Sequence, residues 1–170
     1  SLFRNTVKGF VYGASVDENG DGLADHVNEE GEIEDGAELL KRQFRNVDAR
    51  FTGAELSAAF APTQGFGFAV MADTVRGVIT STNGGNLPRM SPSRIGGKLT
   101  WRGGAANAWY VDLGATHTFA QNNVASFESE TAGFTRVDAT ARYRWTLGAN
   151  RHADFYIVGK NLSNRDMRVH

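Results

Sequence analysis

The chain contains no cysteine, which removes disulfides, thiolate metal sites and cysteine nucleophiles from consideration. It has no run of about 18 apolar residues, so it encodes no transmembrane helix. That absence does not exclude a membrane, because barrel strands cross on an alternating signal that average hydropathy hides. Neither sign of charge dominates. Eighteen basic residues face 19 acidic ones, a formal charge of -1, which argues for neither a nucleic-acid partner nor an acidic substrate. Basic residues alternate with acids, so no nucleic-acid surface is expected. Proline is scarce at 3 residues. Ser1–Ser15 carries Arg4 and Lys8 among its apolar residues and does not read as a signal peptide. If the protein is exported, this start suggests an internal fragment or a mature form. No G-x-S-x-G, phosphate-cradling loop or dinucleotide fingerprint occurs in a suitable context, so no catalytic residue and no enzyme activity are expected.

What is plentiful is glycine, 20 residues without a Gly-X-Y period, as suits the turns and close backbone contacts of an all-β chain. Strands are expected at Leu2–Ser15, Lys41–Phe60, Phe66–Thr80, Ser93–Arg102, Ala108–Phe127, Phe134–Leu147 and Ala153–Leu162. Connections alternate between long and short. An acidic stretch covers residues 16–40, and a medium loop contains Asn83-Gly84-Gly85-Asn86. Pro62-Thr63-Gln64-Gly65 is a tight turn. Several strands exceed the usual 5–6 residues or so.

Alternation is clearest in Phe134–Leu147. Arg136, Asp138, Thr140, Arg142 and Arg144 share one face, and Val137, Ala139, Ala141, Tyr143, Trp145 and Leu147 share the other. Phe60, Phe66, Phe68, Trp101, Trp109, Trp145 and Phe155 cluster beside the short turns, like an interfacial aromatic girdle. In Lys41–Phe60 the apolar parity switches between Phe51 and Leu56, which predicts a β-bulge near Gly53-Ala54. The fold class is therefore all-β, antiparallel and up-and-down. It is either a transmembrane barrel segment or a β-sandwich, and the loop asymmetry and strand length favour the barrel. A barrel turns Trp101, Trp109 and Trp145 outward in one belt, whereas a sandwich buries them.

Four segments resemble the C-terminal third of TonB-dependent outer-membrane receptors, most closely the zinc-type branch. Gln43–Glu55 is similar to a Y-x-Q-x-D-A-x-F-x-G-x-E strand. Asn86–Arg94 is similar to an L-P-R-x-P-P-x-R loop, with Ser91 in place of its first paired proline. Phe119–Ala125 with Glu128 and Thr131 is the third. Gly159–His170 is similar to the final N-L-x-x-x-x-x-R-x-H hairpin, with Met167 where tyrosine is usual. The resemblance implies a plugged barrel of about 22 strands. Residues 1–170 would be the C-terminal part of that barrel, supplying about seven strands, with the plug domain and last strand absent. Residues 16–40 would be a long acidic extracellular loop. It further implies a place in the bacterial outer membrane, contact with its lipid, and coupling to the TonB complex through the plug. The implied function is energy-coupled uptake of a metal ion or metal chelate, zinc or siderophore-like.

The sharpest local motif runs from Asp17 to Asp25. Asp17, Asn19, Asp21, Gly22 and Asp25 match a D-x-[DN]-x-[DN]-G calcium loop, and Leu23 can offer its backbone carbonyl. Asn28 stands where a bidentate glutamate is expected, with Glu29 and Glu30 as substitutes. No flanking helices are expected, so an EF-hand is not. A structural Ca²⁺ and a plain solvated acidic loop are both compatible with these residues. His26 adjoins Asp25 and Glu29, but one histidine cannot complete a Zn²⁺ site. His117 falls on an apolar face, His152 in a short turn, and His170 on the terminal histidine of the resemblance.

The mixed charges expected to face a barrel lumen are Asp48, Arg50, Glu55, Arg94, Lys98, Arg102, Asp112, Arg136, Asp138, Arg142, Arg144, Asp154 and Lys160. Arg89 and Arg94 flank the proline loop; they are the candidates to touch an anionic ligand, the alternative being that they simply order that loop. The competing function is a secreted calcium-binding β-sandwich module. A barrel lipase is disfavoured by the lack of a Ser/His pair.

Overall fold

The computed structural model describes residues 1–34, 36–81 and 84–168. Asn83 of the expected glycine turn and the terminal His170 lie outside them. Seven strands form one antiparallel sheet in strict chain order: β1 (Leu2–Ser15), β4 (Arg42–Thr63), β5 (Phe66–Ile79), β6 (Arg94–Gly103), β7 (Trp109–Thr118), β8 (Phe134–Gly148) and β9 (Arg151–Gly159). Inside the acidic connection, β2 (His26–Val27) and β3 (Leu39–Leu40) make a separate two-stranded ribbon. The β4–β5, β6–β7 and β8–β9 connections are tight. Those after β1, β5 and β7 are long, as the turn chemistry predicts.

The pairing carries the alternation of each strand across the whole sheet. Directly opposed residues include Thr100 and Asp112, Trp101 and Val111, Leu113 and Ala139, and Tyr143 and Phe155. One side therefore collects Leu56, Phe60, Phe68, Val70, Leu99, Trp101, Trp109, Val111, Leu113, Ala139, Tyr143, Trp145 and Ile157. Among the described residues nothing packs on it: Trp109 is 44% exposed, Trp145 51% and Ile157 78%. Among the described residues only Val16, Ala49 and Leu87 are buried hydrophobics. A sandwich would bury this face, and the described residues lay no second sheet against it. Each large side chain gains about 1.5–3 kcal/mol on leaving water, so such a face calls for an apolar solvent. From Val137 to Leu147 it runs about 33 Å at about 3.3 Å per residue. A tilt of about 40° reduces that to about 25 Å, the height of an outer-membrane apolar band.

The other face is polar and concave. A hollow of about 400 Å³ is lined jointly by Ser57 of β4, Lys98 of β6, Asp112 of β7 and Asp138 of β8.

The expected bulge at Gly53-Ala54 does not occur. Gly53 pairs in regular register with Phe3 of β1 and Val75 of β5. The irregularity lies on β1, where Lys8 and Gly9 oppose Asp48, with Gly9 at φ 66° and its N–H donating to Asp48 Oδ1 at 3.1 Å. The parity of β4 switches because its surroundings change. Beyond Ala54, toward the long connections, the polar residues Arg50, Thr52, Thr74 and Arg76 continue the apolar side. The opposite side gains Phe10, Val47, Ala49 and Phe51. Residues 85–87 pair back along β5, with Ile79 N–H donating to the Gly85 carbonyl and Leu87 N–H to the Gly77 carbonyl. This lays Leu87 and Met90 over Gly77, where a Cβ would stand 2.9 Å from Leu87 Cδ1 and 2.8 Å from Met90 Sδ. Phe10 meets Phe51 edge-on at 5.3 Å. The upper ends of β1, β4 and β5 thus carry a small covered core on the concave side. The same geometry puts Asp48 and Arg50 on the opposite side from Glu55, correcting their expected lumen placement.

The expected strand Ala108–Phe127 also stops early, at Thr118. Residues 119–133 form a loop closed by paired backbone bonds between Gln121 and Thr131, with Phe127 at φ 64°.

Candidate functional site

The concave wall is a set of paired charges. Arg94 grips Asp73 at 3.0 Å, Arg136 meets Asp138 at 2.9 Å, and Lys98 lies 3.9 Å from Asp112. Arg144 makes a two-pronged contact with Asp154, both arms 2.8 Å. Asp112 also accepts from Thr100 Oγ1 at 2.6 Å and from the Tyr110 hydroxyl at 2.5 Å. The Arg102 and Arg142 guanidiniums lie over the Tyr110 ring at 5.4 and 5.5 Å. Lys160 follows β9, and its neighbour Asn161 donates its N–H to Asp138 at 2.9 Å. These contacts order the wall, although Arg102, Arg142 and Lys160 make no ion pair among the described residues.

The long connections behave differently. Glu128 accepts the Arg89 N–H at 2.8 Å and the Ala125 N–H at 3.1 Å. Gln121 donates to the Met90 carbonyl at 2.8 Å and accepts the Asn123 N–H at 3.0 Å. Asn86 donates to the Val124 carbonyl at 3.1 Å. These three side chains clasp the proline loop to the 119–133 loop. Sequence reasoning gave them no role, because contacts between two irregular segments leave no period to detect. Glu128→Ala removes the acceptor for two backbone donors, each charge-assisted bond being worth about 1.5–3 kcal/mol. We expect the barrel to stay closed while protease cuts residues 84–92 and 119–133 faster, read from digestion time courses.

Beneath the clasp lies a cavity of about 470 Å³ lined by Tyr12, Arg42, Arg45, Arg89 and Glu128, among others. Both Glu128 oxygens are engaged by backbone donors. None of the three arginines makes an ion pair among the described residues. The two arginine candidates therefore part: Arg94 is held by Asp73 on the wall, whereas Arg89, at φ 57°, lines the cavity.

In the acidic connection, Asp17 accepts the Gly20 and Gly22 N–H groups at 2.6 and 2.9 Å. Asn19 accepts from Asp21, and Asp21 from Leu23. Asp25 is 4% exposed. Its N–H donates to the Val16 carbonyl, and its own carbonyl accepts from Lys41, tying the loop to the ends of β1 and β4. His26 is exposed on β2, and no three His, Asp or Glu side chains among the described residues are grouped to hold a metal. His117 packs edge-on against Phe119 at 4.7 Å and contacts Thr135 at 2.8 Å. His152 is exposed at the start of β9.

Among solved structures, that of the copper transporter OprC is similar to this chain, with a TM-score of 0.70 and 19% identity. The match covers 99% of this chain and 23% of that one. The chain thus spans less than a quarter of the transporter's length, and at this identity the likeness is one of fold. The family described as TonB dependent receptor-like, beta-barrel matches residues 1–162. With its single curved sheet, its bare apolar face and a family match over nearly its whole length, the chain belongs to the TonB-dependent receptor β-barrel family of the Gram-negative outer membrane.

Proposed function

We propose that this chain is part of the wall of an outer-membrane receptor that imports a transition metal as an anionic chelate, with TonB supplying the energy through a plug domain. On this reading the apolar face meets lipid, the concave face meets the plug, and the long connections, residues 16–40 included, face outside the cell. Membership of a transport-receptor family and the likeness to a copper transporter support metal uptake. The observation that carries the chelate is the cavity under the loop clasp. Arg42, Arg45 and Arg89 line it without an ion pair among the described residues, and three guanidiniums against the one Glu128 carboxylate leave the hollow net positive, which disfavours a bare cation and attracts a carboxylate- or phenolate-bearing ligand.

The test is uptake of a radiolabelled metal into cells depending on this receptor, supplied free or as a citrate-type chelate. Chelate uptake should exceed uptake of the free ion. Arg89→Ala should weaken chelate binding about tenfold, the loss of about 1.4 kcal/mol, and leave the barrel closed. Free-metal uptake as great as chelate uptake, or chelate uptake unchanged in the variant, would sink the chelate reading.

A further inference from the structure

The acidic connection holds a feature that uptake does not use. Asp25 is nearly fully buried, at 4% exposure, and its Oδ2 accepts the Glu18 N–H at 2.7 Å. Its other oxygen, Oδ1, is shut off from solvent and has no hydrogen-bond partner among the described residues. A buried carboxylate oxygen left without a donor is costly. The Glu18 bond holds this carboxylate at the neck of the loop, beside the residue that follows Asp17.

We infer that residues 17–25 bind a Ca²⁺ ion, with Asp25 Oδ1 as the buried ligand and Asp17, Asn19, Asp21 and the Leu23 carbonyl completing the oxygen set. Ca²⁺ takes six to eight oxygens in adaptable geometry, whereas Mg²⁺ demands a near-ideal octahedron and Zn²⁺ favours nitrogen and sulfur. The carboxylates of Asp17 and Asp21 now accept the loop's own N–H groups, and each oxygen keeps a further lone pair for a cation. They do not meet at one point in the structure, so binding includes a tightening of the loop. Gly20 and Gly22, at φ 77° and 87°, allow that tightening. Because Asp25 is tied to Val16 and Lys41, the ion fixes the connection onto the ends of β1 and β4, beside the arginine-lined cavity.

The experiment uses the full-length receptor in detergent micelles, stripped with a chelator and titrated calorimetrically with CaCl2. One ion should bind, with a dissociation constant of about 10⁻⁴–10⁻³ M, the range of extracellular calcium modules. Asp25→Asn should weaken it by about tenfold or more, and Ca²⁺ should slow proteolysis within residues 16–41. Asp21→Asn should act alike. Its side chain is exposed and, among the described residues, hydrogen-bonds within the loop to Asn19 and Leu23, so it decides the matter if Asp25→Asn fails to give a closed barrel. No heat on adding Ca²⁺, or the same binding in parent and variants, would overturn the inference.

Discussion

Leu113→Arg is expected to destabilise the receptor in lipid by about 2–4 kcal/mol, the measured range for arginine at the middle of an outer-membrane band. Leu113 sits at the centre of β7, between Leu99 and Ala139 on the apolar face, with Trp109 toward one end of the strand and His117 toward the other. A guanidinium there has no acceptor within the sheet, because the register gives it apolar neighbours on both sides. Ser57→Arg provides the contrast. Ser57 lines the polar hollow with Lys98, Asp112 and Asp138, where a new charge stays among polar groups and water, so a change within about 0.5 kcal/mol is expected. Chemical unfolding of both variants in lipid vesicles measures the difference. Equal losses would mean that the two faces have been assigned the wrong way round.

Gly53→Ala should also be costly, for a steric reason. A Cβ at Gly53 would lie 2.5 Å from the Thr74 carbonyl oxygen and 2.4 Å from Phe3 Cζ. The phenyl ring could swing away, but the carbonyl belongs to the neighbouring strand and can move only by bending β5. Overpacking of this kind costs about 1–3 kcal/mol, and the loss should appear as a lower temperature of conversion from compact to unfolded migration on gels. Gly97→Ala is the control. Its added Cβ meets only the Ala69 carbonyl oxygen, at an ordinary 3.7 Å, so its conversion temperature should match the parent's.

The parts of the fold legible in the sequence were those written in local periods. The alternation of β8 and the turn residues at Gly65 and Gly148 are short-range signals, and the structure places both faces of β8 as the pattern predicts. The belt of Trp101, Trp109 and Trp145 followed from parity alone. The β4 phase break was visible too, but two different causes leave the same mark on a sequence. An extra residue shifts the parity, and so does a change in which side of the sheet is covered. Only the position of Leu87 and Met90 over Gly77 distinguishes them, and that is a contact between distant segments. The end of β7 failed for a related reason. Phe119 to Phe127 is apolar enough to continue a strand, but the Gln121–Thr131 pairing and the Glu128 clasp draw the chain over the proline loop instead. At the candidate sites, residue type was readable and pairing was not. Arg89 and Arg94 look equivalent until Asp73 takes one of them.

The parity switch in β4 also means that a single strand draws its stability from two reservoirs. Below Ala54 the lipid does the solvating, and a shorter or looser amphiphile weakens that half. Above Ala54 a small hydrophobic cluster serves instead, partly covered by Leu87 and Met90 and formed by the chain itself. A treatment that loosens the lipid-solvated half is thus expected to act on the cluster above it only through the strand pairing they share.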